Sequence, residues 1–506
     1  MPSGASSDPG ARTLRVPAPR TAAWLLAIGL LGLLVADLAW RRSFHQVAWP
    51  DECIYLVGAR NLMERGSLDT HFYLTHSLLV RGYPHRDVHL PGYLLALAPL
   101  VGALGATLTA GVALNLLLFL ASIPLVFLVA RAVLPDRTGA LVAAALFTLL
   151  PPFPGYLYVV YPELAVAFVF LAGLAWLFHG RGGWHAPLAG VLFALGALFR
   201  ETLLFAWPLY LARLPRRQWL RGFAPAALAT LLLVVAPLSR NRAVHPNALY
   251  PSLVEEALRS ASPFTSLVSV VAGNVAANLR LAAQARPWES AEDLTLAMLA
   301  LLALAPLLAW GTLTPAARRL AAATLCSLGL LTAAVLAVYV VRQRGGVWGG
   351  VRAYMGWAPL LLCFALAPLV RLRAAWGRAA LLAALVAAFV HVDRRHLDFF
   401  YRYKAADHED QDRQARLIER SVDPFRPRRV VARNFLYGLS HYPVEVVWSL
   451  PRDQQELSRL ERAIPFDFLV IHRVSPLRLA LVGNPHYRRV NKADKDAELL
   501  IWRRLY

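Results

Sequence analysis

At 58% hydrophobic and only 16% charged residues over 506 positions, the chain is too apolar for a soluble globular enzyme, which carries roughly 25% charge. The formal net charge of +21 is no nucleic-acid signal, because the bases fall in small groups between apolar runs and form no single patch. Three cysteines give neither a disulfide framework nor a metal-ligand spacing.

The chain opens with a polar, basic stretch, residues 1–20, read as a cytoplasmic tail ahead of a retained first span. A bilayer crossing needs about 20 apolar residues in a helix that satisfies its own backbone. On that basis the candidate spans are 21–40, 109–133, 138–152, 159–178, 184–199, 201–214, 220–239, 292–311, 319–341, 354–371 and 377–392, about eleven in all. The run from Leu90 to Gly105 is short and contains Pro91 and Pro99, so it is assigned as an interfacial or re-entrant helix. The groups Arg131/Arg137, Arg181, Arg213/Arg216/Arg217/Arg221, Arg318/Arg319 and Arg371/Arg373/Arg378 then share the side of the basic N-terminus. The positive-inside rule makes that side cytoplasmic. It puts the loop 41–90, the loop 240–291 and everything after 392 outside.

Beyond His391 the composition turns charged and the apolar runs shorten. Residues 429–432, 444–448, 466–471 and 498–502 read as short strands, with an amphipathic helix from Asp453 to Ile464. The expected architecture is a polytopic α-helical membrane protein with a small C-terminal α/β domain outside the membrane. The expected divisions are 1–20, then a transmembrane unit 21–396 carrying the outer loop 41–90, then 397–506.

The residues that topology does not explain gather on the outer side. Asp51 and Glu52 follow the first span directly, where a charged pair is either a functional site or a solvated N-cap, with Asp51 capping a helix that begins at Glu52. Asp87 and Glu163 fall on the same face. Carboxylates beside a membrane cavity can act as general bases, or together hold a divalent cation such as Mg or Mn through oxygen. Arg200, Arg240, Arg344 and Arg352 also fall outside, where the inside rule requires no bases. Guanidinium forks suit phosphate and point to an anionic, lipid-borne substrate, with snorkelling to headgroups as the plainer alternative. Tyr156, Tyr158 and Trp357, near span ends, read as interfacial belt aromatics. His71, His76, His85 and His89 are too irregularly spaced to read as a zinc site.

These motifs together resemble the GT-C superfamily of membrane glycosyltransferases, which includes protein O-mannosyltransferases and the aminoarabinose transferase acting on lipid A. The resemblance rests on Asp51-Glu52 with Tyr55 after span one, and on Tyr83-Pro84-His85-Arg86-Asp87 ahead of Pro91-Gly92-Tyr93. Glu163 in the second outer loop and Pro237-Leu238-Ser239-Arg240-Asn241 complete it. It implies an inverting transfer of a sugar from a polyprenyl-phosphate donor to a lipid, glycan or protein acceptor at the outer face of the inner membrane. Asp51 matches the base or metal-proximal acid, with Glu52 beside it, and Glu163 matches the second-loop acid, where many relatives carry Asp. Tyr55, Asp87, Arg200, Arg240, Arg344, Arg352 and Tyr354 become substrate-binding candidates, with Arg352-Ala353-Tyr354 standing where many relatives have Arg-Tyr. A transporter or flippase of lipid-linked intermediates, or a membrane-anchored binding module, are the alternative functions. No nucleic-acid partner is expected.

Overall fold

The computed structural model describes residues 50–66, 72–73, 86–87, 91–151, 153–181, 184–213, 228, 244–245, 262–284, 291–338, 352–372, 374–422, 429–432, 445–448, 451, 453–491 and 499–505. The expected spans 21–40 and, apart from one residue, 220–239 lie outside these, as do the four histidines of the outer loop. Among the described residues, four helices are long and apolar enough to cross a membrane, by length and composition: Leu108–Val133, Pro315–Leu336, Arg352–Arg371 and Trp376–Arg395. Shorter apolar helices, including Arg137–Phe147, Glu163–His179 and His185–Phe199, pack among them. The fold is that of a helical membrane protein.

Helix α1, Pro50–Arg65, follows the first apolar segment. Its first residue is proline, whose fixed φ and missing N–H suit a helix start. Both acids therefore sit inside the first turn, where the helix dipole favours carboxylates, and neither occupies the cap position expected for Asp51. Helix α2, Pro91–Leu104, runs alongside α1. The Tyr55 and Tyr93 rings meet edge to face at 5.1 Å, and a Cβ added at Gly102 would lie 2.9 Å from Cε of Met63.

Helix α3, Leu108–Val133, starts after a three-residue link containing Gly105 at φ +79°. Its first turns pack on Val160 through Gly111, and its Asn115 meets Tyr93. Both ends of α2 thus lie at one end of the bundle, which is the geometry of a helix lying across that end.

Helix α4, Arg137–Phe147, is capped by Asp136, whose side chain accepts from the N–H of Gly139. Gly139 packs against Val370. Helices α5, Glu163–His179, and α6, His185–Phe199, form an antiparallel pair. His179 Nε2 contacts the carbonyl of Leu128 at 2.8 Å. These contacts gather Arg131, Arg137, Arg181 and Arg371 at the end of the bundle opposite Glu163.

The core is continuous, with Phe119, Phe147, Phe153, Phe170, Phe193 and Phe364 at its centre. Tyr156 and Trp357 belong to it and not to an interfacial belt. Tyr156 is buried against Tyr161 at 6.3 Å, and Trp357 is buried against Phe170 at 4.9 Å. Their positions at span ends mimic a belt, but their rings turn toward neighbouring helices instead of the headgroup region.

The longest helix among the described residues spans 48 residues, Ala375–Val422, about 72 Å at 1.5 Å per residue. The division expected at 396/397 falls inside it. The change of composition there marks a change of face from apolar to charged, and the helix carries on without a break.

The C-terminal segment forms a sheet in the order β1-β5-β4-β6-β8-β7. Its strands are β1 (Phe72–Tyr73), β4 (Arg429–Ala432), β5 (Glu445–Trp448), β6 (Phe468–His472), β7 (Tyr487–Arg489) and β8 (Leu499–Arg504). The first four in order run parallel, and β8 pairs antiparallel with both β6 and β7. The parallel step from β5 to β6 requires a crossover, which the Gln454–Ala463 helix supplies, capped by Asp453. Val431, Leu460, Leu469, Ile471 and Trp502 fill the space beneath it.

Strand β1 comes from the loop 41–90, which the sequence reading had kept in the transmembrane unit. That loop is also tied to the loop 240–291, because Arg86–Asp87 (β2) pairs in parallel with Val244–His245 (β3). Three segments far apart in sequence are thereby hydrogen-bonded on one face.

Candidate active site

The end of the bundle reached by α1 and α2 collects the polar groups. Glu52 is completely buried, and its Oε1 accepts from the backbone N–H of Val160 at 2.9 Å. A buried carboxylate needs such partners to offset its desolvation. This one ties the first turn of α1 to the segment leading into Glu163. The side chain of Asp51, one residue earlier, lies outside the described residues, as do Arg240 and Arg344.

Asn115 supports the same segment from α3. It accepts from the Tyr93 hydroxyl at 2.9 Å and donates from Nδ2 to the carbonyls of Tyr156 at 3.0 Å and Val159 at 2.6 Å. Nothing in the motif analysis singled Asn115 out, although an amide alone in an apolar run was the available signal. Tyr55 packs at 5.1 Å from Tyr93 and 6.3 Å from Tyr161. The Pro91-Gly92-Tyr93 motif has a steric content too, because a Cβ at Gly92 would lie 2.8 Å from both the carbonyl carbon and oxygen of Leu198.

Glu163 begins α5 and is 1% exposed. Its Oε1 receives Nη1 of Arg200, the residue after α6, and Nε of Arg352 at 2.5 Å. The guanidinium of Arg352 also lies over the Tyr161 ring, 4.2 Å from its centroid, a cation–π contact. Oε2 of Glu163 is buried and takes no hydrogen bond among the described residues.

Three of the sequence-derived candidates, Glu163, Arg200 and Arg352, therefore meet in one cluster. Tyr55 lies behind it, through Tyr161. Tyr354 is directed elsewhere, donating to Thr332 Oγ1 at 3.0 Å. Asp87 lies on β2 with its backbone paired to His245. Among the described residues no group of three or more His, Cys, Asp or Glu side chains could hold a metal ion. Oε1 of Glu163, one of the two carboxylates expected to hold a divalent cation, carries two guanidinium groups, and the side chain of Asp51, the other, lies outside the described residues.

The fold is similar to that of solved archaeal oligosaccharyltransferases. Similar solved structures include the Archaeoglobus fulgidus oligosaccharyltransferase tethered to an acceptor peptide, at 12% identity. It covers 88% of this chain and 69% of that one, with a TM-score of 0.52. Archaeal oligosaccharyltransferase AglB from Archaeoglobus fulgidus, in complex with an inhibitory peptide and a dolichol-phosphate, covers 89% and 70% at 11% identity and a TM-score of 0.51. ArnT from Cupriavidus metallidurans bound to undecaprenyl phosphate aligns over 96% of this chain and 99% of that one, at 13% identity and a TM-score of 0.43. At such identities the likeness is one of fold, which does not by itself fix function. No protein-family model matches the sequence, and no curated protein is similar to it.

Proposed function

We propose that this protein is a membrane glycosyltransferase that moves a sugar from a polyprenyl-phosphate donor to an acceptor hydroxyl or amine, with inversion. The observation that carries the reading is the convergence of Arg200 and Arg352 on buried Glu163, at the end of the bundle where Asp51-Glu52 begins α1. Guanidinium groups held at a membrane face suit a lipid-borne phosphate.

In this reaction the Asp51 carboxylate takes the proton of the acceptor as its oxygen or nitrogen bonds to the anomeric carbon. The bond from that carbon to the donor phosphate oxygen breaks, and the phosphate leaves with the electron pair. Arg200 and Arg352 offset the charge that develops on it, and Arg240 and Arg344 are further candidates for this role. No step is routed through a metal ion.

The cell membrane is the proposed location, with 41–90, 240–291 and the C-terminal sheet on the outer face. The gathering of Arg131, Arg137, Arg181 and Arg371 at the opposite end supports this orientation.

The test is Asp51→Asn, assayed in membranes with a labelled polyprenyl-phosphate sugar. Transfer is expected to fall by two orders of magnitude or more at unchanged expression. Full activity of the variant would overturn the mechanism. Reporter fusions in the 41–90 loop and after residue 422 test the orientation, and a cytoplasmic readout at either would defeat it.

A further inference from the structure

We propose that Glu163 is a positioning residue: its buried carboxylate joins Arg200 and Arg352 into one phosphate clamp, and it is not a metal ligand. The inference rests on the glycosyltransferase reading and changes the part that Glu163 plays within it.

The two arginines reach Glu163 from 37 and 189 residues away in sequence, yet both bond the same oxygen. Alone, two guanidinium groups this close would repel each other, and their long side chains would hold no fixed spacing. The shared carboxylate sets the spacing. Two positive groups and one negative leave a single net positive charge, which is complementary to an anion and repels a cation.

Arg352 is constrained further by Tyr161, 4.2 Å beneath it, and Tyr161 is braced by Tyr55 and Tyr156 at 6.3 Å each. Arg352 meets Glu163 through Nε. Arg200 meets it through a single Nη1.

Oε2 of Glu163 is a buried acceptor without a hydrogen bond among the described residues. Purely structural carboxylates are normally satisfied at both oxygens. Here one oxygen carries both cations, as a part arranged to hold them and not to complete a core network.

The test compares purified wild type, Glu163→Gln, Arg352→Gln and the double variant in detergent, with undecaprenyl phosphate and undecaprenol as probes and tryptophan fluorescence as readout. Wild type is expected to prefer the phosphate, and to keep that preference in EDTA. Glu163→Gln is expected to lower the preference tenfold or more with little change in undecaprenol affinity, which a general packing defect would also reduce. The double variant is expected to lose no more than Arg352→Gln alone.

If Glu163→Gln does not fold, Glu163→Asp, which keeps the charge but withdraws it by one methylene, must show the same selective loss. Retained preference in the folded variants, additive losses, or loss of the wild-type preference in EDTA would each overturn the inference while leaving the enzyme reading intact. A wild type with no preference for the phosphate overturns both.

Discussion

Oε1 of Glu52 accepts the backbone N–H of Val160 at 2.9 Å, linking positions 108 residues apart. The contact fixes the first turn of α1 against the segment that delivers Tyr161 and Glu163. Glu52→Ala removes the acceptor and leaves a buried N–H unsatisfied, which costs about 1–3 kcal/mol. Glu52→Gln keeps an acceptor of the same reach and should cost less. Thermal unfolding in detergent should rank wild type, Gln and Ala in that order; equal midpoints for all three would remove the structural role assigned to Glu52.

Asn115 serves three partners at once, the Tyr93 hydroxyl and the carbonyls of Tyr156 and Val159. Asn115→Leu fills a similar volume but satisfies none of them, and a loss of about 1–3 kcal/mol is expected, chiefly from the Tyr93 hydroxyl, because the Tyr156 and Val159 carbonyls keep the N–H groups of Val159 and Tyr161. The same variant should lower transfer activity, because it loosens the segment before Glu163. A stability equal to wild type by denaturant titration would contradict this account.

Gly92 faces backbone first, with Cδ2 of the Phe199 side chain next, 2.9 Å from an added Cβ. The atoms a Cβ would meet at 2.8 Å are the carbonyl carbon and oxygen of Leu198, which cannot rotate away. Gly92→Ala should therefore push α2 from α6 and destabilise by about 1–3 kcal/mol, the usual cost of overpacking. At Gly273, with nothing within 4 Å of an added Cβ, the same substitution serves as the control and should be neutral or slightly stabilising, because alanine favours a helix interior by up to about 1 kcal/mol.

Arg352 makes two contacts that lysine cannot reproduce together, the Nε bond to Glu163 at 2.5 Å and the stack on Tyr161. Lysine keeps the charge without the planar fork. Arg352→Lys is expected to lose transfer nearly as fully as Arg352→Ala, by tenfold or more, in the labelled-donor assay. Retention of most activity by the lysine variant would show that charge alone suffices at this position.

Much of the architecture was legible in local pattern. The apolar run 109–133 forms Leu108–Val133, the short proline-bearing run at 90–105 forms the helix Pro91–Leu104, and the amphipathic stretch 453–464 forms the crossover helix with Asp453 as its cap. Each depends on periodicity, capping or length, properties that a segment carries with it. The candidates Glu163, Arg200 and Arg352 were legible as well, because charges flanking apolar runs are costly and stand out.

Their relationships were decided elsewhere. That Arg200 and Arg352 share one oxygen of Glu163 depends on the packing of three separate helices. That Glu52 turns inward to Val160 follows from what α1 packs against. Strand β1, two residues long, has no signal of its own and exists only because β5 offers it an edge. Sequence determined which segments are helices and where charge interrupts them, since those are short-range matters of hydrophobicity and backbone satisfaction. Tertiary structure alone decided which charges meet, because an ion pair between distant residues is set by how the helices carrying them pack.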